Sequence, residues 1–89
     1  MITDQELVAQ VLDGDQQAFA ELVETYQQSV YNLAYRMLGN ANEAEDAAQE
    51  AIMSAYQHLN RYDPSRQFKT CLLSITSNYC IDRLRKRRL

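Results

Sequence analysis

Residues 44–56 read AEDAAQEAIMSAY. Ala44, Ala48, Ala51, Ile52, Ala55 and Tyr56, continued by Leu59, recur at the three- and four-residue spacing of one helical face. Small side chains let a neighbouring helix approach closely, so this helix is expected to be the central packed element. Asn42 with Glu45 makes a capping pair expected to open it.

Reading outward toward the N-terminus, Asp15 is placed to cap a longer helix with the apolar stripe Phe19, Leu22, Val23, Tyr26, Val30, Leu33, Ala34 and Met37, ended by Gly39. Before it, Thr3 and Glu6 form a capping box for a short helix with Leu7, Val8, Val11 and Leu12 on its apolar side, stopped by Gly14. Toward the C-terminus, residues 60–66 break the pattern. Pro64 pushes Asp63 out of helical geometry, and Asp and Ser favour turns. A last helix is expected to start near Ser65 or Gln67, to bury Phe68, Leu72, Ile75, Tyr79 and Leu84, and to run into the basic tail. The expected fold is all-α: a compact bundle of four helices, the first short and three longer, with a loop between the third and fourth.

Eighty-nine residues, 46% of them hydrophobic, make one domain over 1–89. Two Gly and one Pro leave few sharp turns, which favours long helices over a many-turned β fold. No apolar run approaches the roughly 20 residues of a membrane span. The opening MITDQELV lacks the basic and apolar regions of a signal peptide, so the expected location is cytoplasmic. Cys71 and Cys80, on one helix, would stand roughly 13.5 Å apart along the axis and on opposite faces, out of disulfide reach. The single His58 has no Cys or acid cluster at ligand spacing, and no Gly-rich phosphate loop is present. Ser, His and Asp fall in no triad pattern and the thiols have no base partner, so the chain is read as non-enzymatic and without cofactor.

The charges are sorted by position. Residues 1–60 carry ten acids against one base, Arg36, whereas residues 61–89 carry eight bases against Asp63 and Asp82. A basic segment on an acidic body suggests two partners, a polyanion for the one and something basic or polar for the other.

Two constellations follow from this sorting. On the third helix Asp46, Gln49, Glu50 and Met53 form one stripe, suited to a partner helix that carries Arg or Lys, or else simply a solvated face. Between the third and fourth helices, Asn60, Arg61, Tyr62, Arg66, Phe68 and Lys69 mix rings, cations and amides. Rings stack on exposed bases, cations hold phosphates and amides read base edges, as single-stranded nucleic acid requires. Phe68 also falls on the apolar stripe of the fourth helix, where it would pin the loop to the core. Arg83, Arg85, Lys86, Arg87 and Arg88 suit phosphate contact, Arg83 sharing a face with Lys86 and Arg85 with Arg88; a solubilising tail is the alternative.

The order of these segments resembles a known family. D-x-x-A-F-x-x-L-V-x-x-Y from Asp15, AEDAAQEAIMSAY from Ala44, RYDPSRQF from Arg61 and LLSITSNYCIDRLRKRR from Leu72 look like region 2 of bacterial RNA polymerase sigma factors, extracytoplasmic-function group. The resemblance implies a module of transcription initiation. Asp46, Gln49, Glu50 and Met53 would dock on the β′ clamp helices of core polymerase. Residues 60–67, with Asn60, Arg61, Tyr62, Asp63, Ser65, Arg66 and Gln67, would capture a flipped non-template base of the promoter −10 element, with Phe68 beside them. Asn78 would lie near that DNA, while Lys69, Arg83, Arg85, Lys86 and the other terminal arginines would hold phosphates. Capture of an unstacked base lets strand opening follow from binding. An anti-sigma factor is a further implied partner; membranes and small-molecule substrates are not.

Three departures from the family pattern stand out. Cys71 occupies a position where Trp is usual, Ser74 and Ser77 stand where a base is common, and region 4, which reads the −35 element, is not in this chain. The rival reading is a helical interaction protein with an acidic docking face and a solubilising basic tail. An enzymatic rival, a nucleic-acid-processing fragment, would have to use Cys71 or His58.

Overall fold

The computed structural model describes residues 2–87. It contains α1 (Asp4–Leu12), α2 (Gln16–Leu38), α3 (Ala41–Gln57), a 3₁₀ turn (Leu59–Arg61) and α4 (Phe68–Arg87), packed into a body of 42 × 21 × 19 Å. The expected four-helix, all-α bundle is what forms.

Local chemistry sets the boundaries. The Thr3 hydroxyl accepts from the Glu6 amide at 3.2 Å and the Asp15 carboxylate from the Gln17 and Ala18 amides at 3.0 and 3.3 Å, so both expected N-caps are in place. Gly39 ends α2 in the left-handed conformation, φ +71°, its amide donating to the Tyr35 carbonyl. The cap of α3 is Asn40 and not Asn42: its side chain accepts from the Glu43 amide at 3.0 Å. Gly39 reverses the chain at once and leaves Asn40 extended, so Asn42 is already inside the helix. The start of α4 also falls later than Ser65. Both the amide and the hydroxyl of Ser65 donate to Asp63, at 2.9 and 2.8 Å, which holds that residue in a turn.

The hub of the bundle is α2 rather than α3. It packs against α1, α3 and α4, because its 23 residues run roughly 34 Å, close to the full length of the body. The alanines do permit close approach: Ala44, Ala47, Ala48, Ala51 and Ala55 of α3 are all buried. Tyr56, expected inside, is 46% exposed and sets its ring edge against Phe19, centroids 4.8 Å apart.

One core cluster gathers Leu7, Val8, Leu22, Val30, Ala51, Leu59, Phe68 and Leu72; a second, at the other end, gathers Ala34, Leu38, Ala44, Ala47 and Cys80. The buried seam of α4 is Phe68, Leu72, Thr76 and Cys80, at every fourth residue, while Ile75, Tyr79 and Leu84 are only half-buried. A threonine fits inside because its hydroxyl donates to the Leu72 carbonyl at 2.8 Å, so no polar atom is stranded. Cys71 and Cys80 are both free thiols. Among the described residues no helix is long and apolar enough to cross a membrane.

Candidate functional site

The chain leaves α3 through His58, makes the 3₁₀ turn and crosses to α4 over residues 62–67. Two residues give this crossing its shape. Tyr62 lies edge-on to Phe68, centroids 5.7 Å and planes 83° apart, and its hydroxyl donates to the Arg66 carbonyl. Asp63 accepts the two bonds from Ser65, while the Arg66 amide closes a turn on the Asp63 carbonyl at 3.0 Å. The Ser65 amide first, then its hydroxyl, hold the Asp63 carboxyl below the usual carboxylate range. Burial is the main cause that pushes the Tyr62 phenol above its ordinary value.

Under this crossing lies a concavity of about 480 Å³. Leu59, Phe68, Leu72 and Ile75 make its apolar floor, and His58, Arg61, Asp63 and Arg66 its polar rim. An apolar slot with a few convergent polar groups suits a flat, partly polar ring system. Of the expected nucleic-acid residues, Arg61, Tyr62, Asp63, Arg66 and Phe68 line it together. Phe68 is buried, at 4% exposure, and also packs on Tyr26, so it belongs to the floor and the core at once. Asn60 and Ser65 are exposed on the crossing itself.

The remaining expected residues do not gather here. Gln67 and Lys69 line a separate cleft with Asp4, Gln5 and Tyr26, on the α1 side. There the Tyr26 hydroxyl donates to Asp4, and that bond, with burial, pushes the Tyr26 phenol up to about 12. Asn78 and Arg85 lie on the outward face of α4 that starts at Thr70 and Ser74, because residues 70, 74, 78, 81 and 85 share one helical face. Lys86 is exposed farther round the helix.

Arg83 and Arg87 turn the other way, onto the junction of α2 and α3. Arg83 donates to the Glu43 carbonyl at 3.4 Å and stands 4.0 Å from the Asp46 carboxylate, its guanidinium 6.0 Å from the Tyr79 ring centroid. Arg87 pairs with the Glu43 carboxylate and donates to the Leu38 carbonyl at 3.2 Å, where the last turn of α2 lacks intrahelical partners. Arg85 pairs loosely with Asp82 of its own helix at 3.8 Å. Arg88 lies outside the described residues.

Sequence reasoning did not place His58, Thr70 and Ser74 on this concavity, although all three line it with Cys71. Thr70 and Ser74 are one turn apart on α4, a spacing visible in the sequence; His58 lines it as the residue that caps the end of α3 just before the 3₁₀ turn, a boundary that left no such signal.

On α3, Asp46, Gln49, Glu50 and Met53 are all exposed in one stripe, Met53 at 56%. The stripe continues into a shallow groove of about 410 Å³ between α2 and α3, lined by Phe19, Ile52, Met53 and Tyr56. Carboxylates and amides at one end and apolar surface at the other fit a basic amphipathic helix.

The family model for sigma-70 region 2 matches residues 22–89. The ECF RNA polymerase sigma factor SigW of Bacillus subtilis (strain 168) is 49% identical over 81 residues, covering 91% of this chain and 43% of that protein. The RNA polymerase sigma-H factor of Pseudomonas aeruginosa is 41% identical, covering 84% of this chain and 39% of that protein. The chain thus spans less than half the length of these curated relatives. Among solved structures, an engineered region 2 of sigmaE in complex with GTAAAA superposes with a TM-score of 0.88 at 40% identity, over 99% of this chain and 94% of that one. CnrH in complex with the cytosolic domain of CnrY superposes with a TM-score of 0.81 at 29% identity, over 89% of this chain and 51% of that one.

Proposed function

Because this chain belongs to the sigma-70 region 2 family, of the extracytoplasmic-function type, we propose that it works in the cytoplasm in transcription initiation, as a non-enzymatic module that joins core RNA polymerase to the promoter −10 element. The concavity under residues 62–67 supports the DNA half of this reading. A non-template base that leaves the duplex enters the slot above Leu59, Phe68 and Leu72, where Arg61, Asp63 and Arg66 meet its polar edge. The strand then follows the outward face of α4 past Asn78 toward Arg85 and Lys86, which hold phosphates. Unstacking a base costs a few kcal/mol, and the pocket offsets that cost, so strand opening follows from binding energy without ATP hydrolysis. The GTAAAA ligand of the engineered sigmaE region 2 supports a single-stranded target of this kind.

Asp46, Gln49, Glu50 and Met53 supply the polymerase half, receiving basic side chains from the β′ clamp helices while Met53 and the neighbouring groove take apolar ones. Any anti-sigma factor would compete by covering these same surfaces; the complex of CnrH with the cytosolic domain of CnrY supports protein partners for this fold.

Binding of the domain to purified core polymerase, with a variant carrying Gln49→Lys and Glu50→Lys alongside, tests the first half. The variant is expected to fold and to lose polymerase binding; retained binding rejects the docking face. For the second half, Tyr62→Ala and Asn60→Ala are expected to relax base preference on single-stranded oligonucleotides. Arg85→Ala and Lys86→Ala are instead expected to weaken binding to all sequences alike and to lower the salt slope by about 0.7 each. Identical behaviour of the two sets would reject this division of roles.

A further inference from the structure

Arg83 connects the two surfaces. It lies on α4 with the cations assigned to phosphate, yet its guanidinium reaches the carboxylate of Asp46, the first residue of the acidic stripe on α3. The ion pair is long, at 4.0 Å, and partly open to solvent, the side chains being 29% and 67% exposed. Such a pair holds a side chain in place without locking it. The Glu43 carbonyl and the Tyr79 ring add two weak contacts that favour the same inward position.

A basic side chain that docks on the α3 stripe competes for the Asp46 carboxylate, and the competition removes the main attraction that keeps Arg83 turned inward. The other cations of α4 differ in this respect. Arg87 is tied to the Leu38 carbonyl and to Glu43, neither of which belongs to the stripe. Among the described residues, Arg85 pairs with Asp82 of its own helix.

We propose that the Asp46–Arg83 pair is an autoinhibitory contact: it withholds Arg83 from nucleic-acid phosphate until a cationic partner takes Asp46, so that polymerase docking and DNA binding strengthen each other. The inference rests on the two-surface reading given above. By linkage the coupling is reciprocal: DNA held by Arg83 leaves Asp46 free and favours docking to the same degree. A pair this exposed limits the effect to about two- to fivefold in affinity.

The test uses the full 89-residue chain and two fluorescein-labelled hexanucleotides, GTAAAA and a scrambled sequence of the same composition, titrated by anisotropy over a range of salt. Asp46→Asn removes the restraint, and Glu45→Gln, one residue away and exposed, removes an equal charge without touching Arg83. Circular dichroism checks that each variant is folded. Asp46→Asn is expected to bind both oligonucleotides about two- to fivefold more tightly than Glu45→Gln does, with a salt slope steeper by about 0.7 for the added phosphate contact. The gain is expected to vanish when Arg83→Ala is added. Equal affinities for Asp46→Asn and Glu45→Gln, or a gain that survives Arg83→Ala, would overturn the inference alone. A gain from Asp46→Asn with no preference between the two sequences supports the coupling and rejects base capture. Failure of every folded variant to bind either oligonucleotide overturns both.

Discussion

Tyr62 donates its hydroxyl to the backbone carbonyl of Arg66, so the ring that rests on Phe68 also ties the α3–α4 crossing to itself. One side chain thereby fixes both the position and the curvature of the segment above the concavity. Tyr62→Phe keeps the ring contact and loses only the hydrogen bond, at an expected cost of about 1 kcal/mol. Thermal unfolding should show a drop of several degrees, and amide exchange should accelerate over residues 63–66 while the helices stay protected. Unchanged exchange there would mean that the bond does not order the crossing.

The raised pKa of Tyr26 makes a prediction at alkaline pH. Its folded-state value of about 12 lies above the ordinary 10.0, so the folded protein holds the phenolic proton more tightly than the unfolded chain does. The stabilisation is complete below pH 10 and is lost as the pH climbs toward 12. Denaturant titrations at pH 9, 10 and 11 should give falling stability in the native sequence and a weaker dependence in Tyr26→Phe.

Asp63 acts at the opposite limb. Its carboxyl is depressed by the two bonds from Ser65, so its contribution is present above the usual carboxylate range and disappears as the pH falls through the lowered value. Ser65→Ala removes the hydroxyl bond and keeps the larger contribution of the amide, so the Asp63 titration, followed by carboxyl chemical shifts, is expected to rise only part of the way toward an ordinary carboxylate without unfolding the helices.

Packing between α2 and α3 depends on side chains that end at Cβ. Ala44 and Ala47 have no exposed surface, and Ala51 has 1%. Ala47→Leu is expected to cost about 1–3 kcal/mol by overpacking. At the hub, Leu22→Ala opens a cavity and is expected to cost about 2–5 kcal/mol. Chemical denaturation midpoints measure both. Thr76→Val keeps the shape of a buried residue and loses only the hydroxyl's bond to the Leu72 carbonyl, so it should change stability by no more than the net worth of one hydrogen bond, about 0.5–1.5 kcal/mol.

Local rules were legible wherever they had no competitor. Thr3, Asp15 and Gly39 act as their types and neighbours require, and the alanine face of α3 is buried as its period implies. The expectations that moved did so because a neighbour claimed the group first. Gly39 turns the chain one residue before Asn40 and so takes the cap from Asn42, and Asp63 takes both donors of Ser65. In α4 the apolar pattern pointed to Ile75 and Tyr79, yet Thr76 and Cys80 are innermost. Cys80 packs into the cluster of Ala34, Ala44 and Ala47 from α2 and α3, and a single helix carries no record of its neighbour's shape. Arg83 shows the same gap in the candidate site: its position in a basic run identifies a cation, and only the folded chain gives it Asp46.

The two thiols, nine positions apart on α4, differ sharply in reach. Cys80 has no exposed surface and burial pushes its thiol up, while Cys71 is half-buried on the wall of the concavity. Alkylation of the folded protein therefore divides into two reactions. Cys71 takes up a maleimide while the bundle is intact, and at a rate that falls when something fills the slot beside it. Cys80 reacts only as fast as the helices part. Mass spectrometry of one labelled sample, digested between the two cysteines, therefore records the occupancy of the slot and the opening of the core side by side.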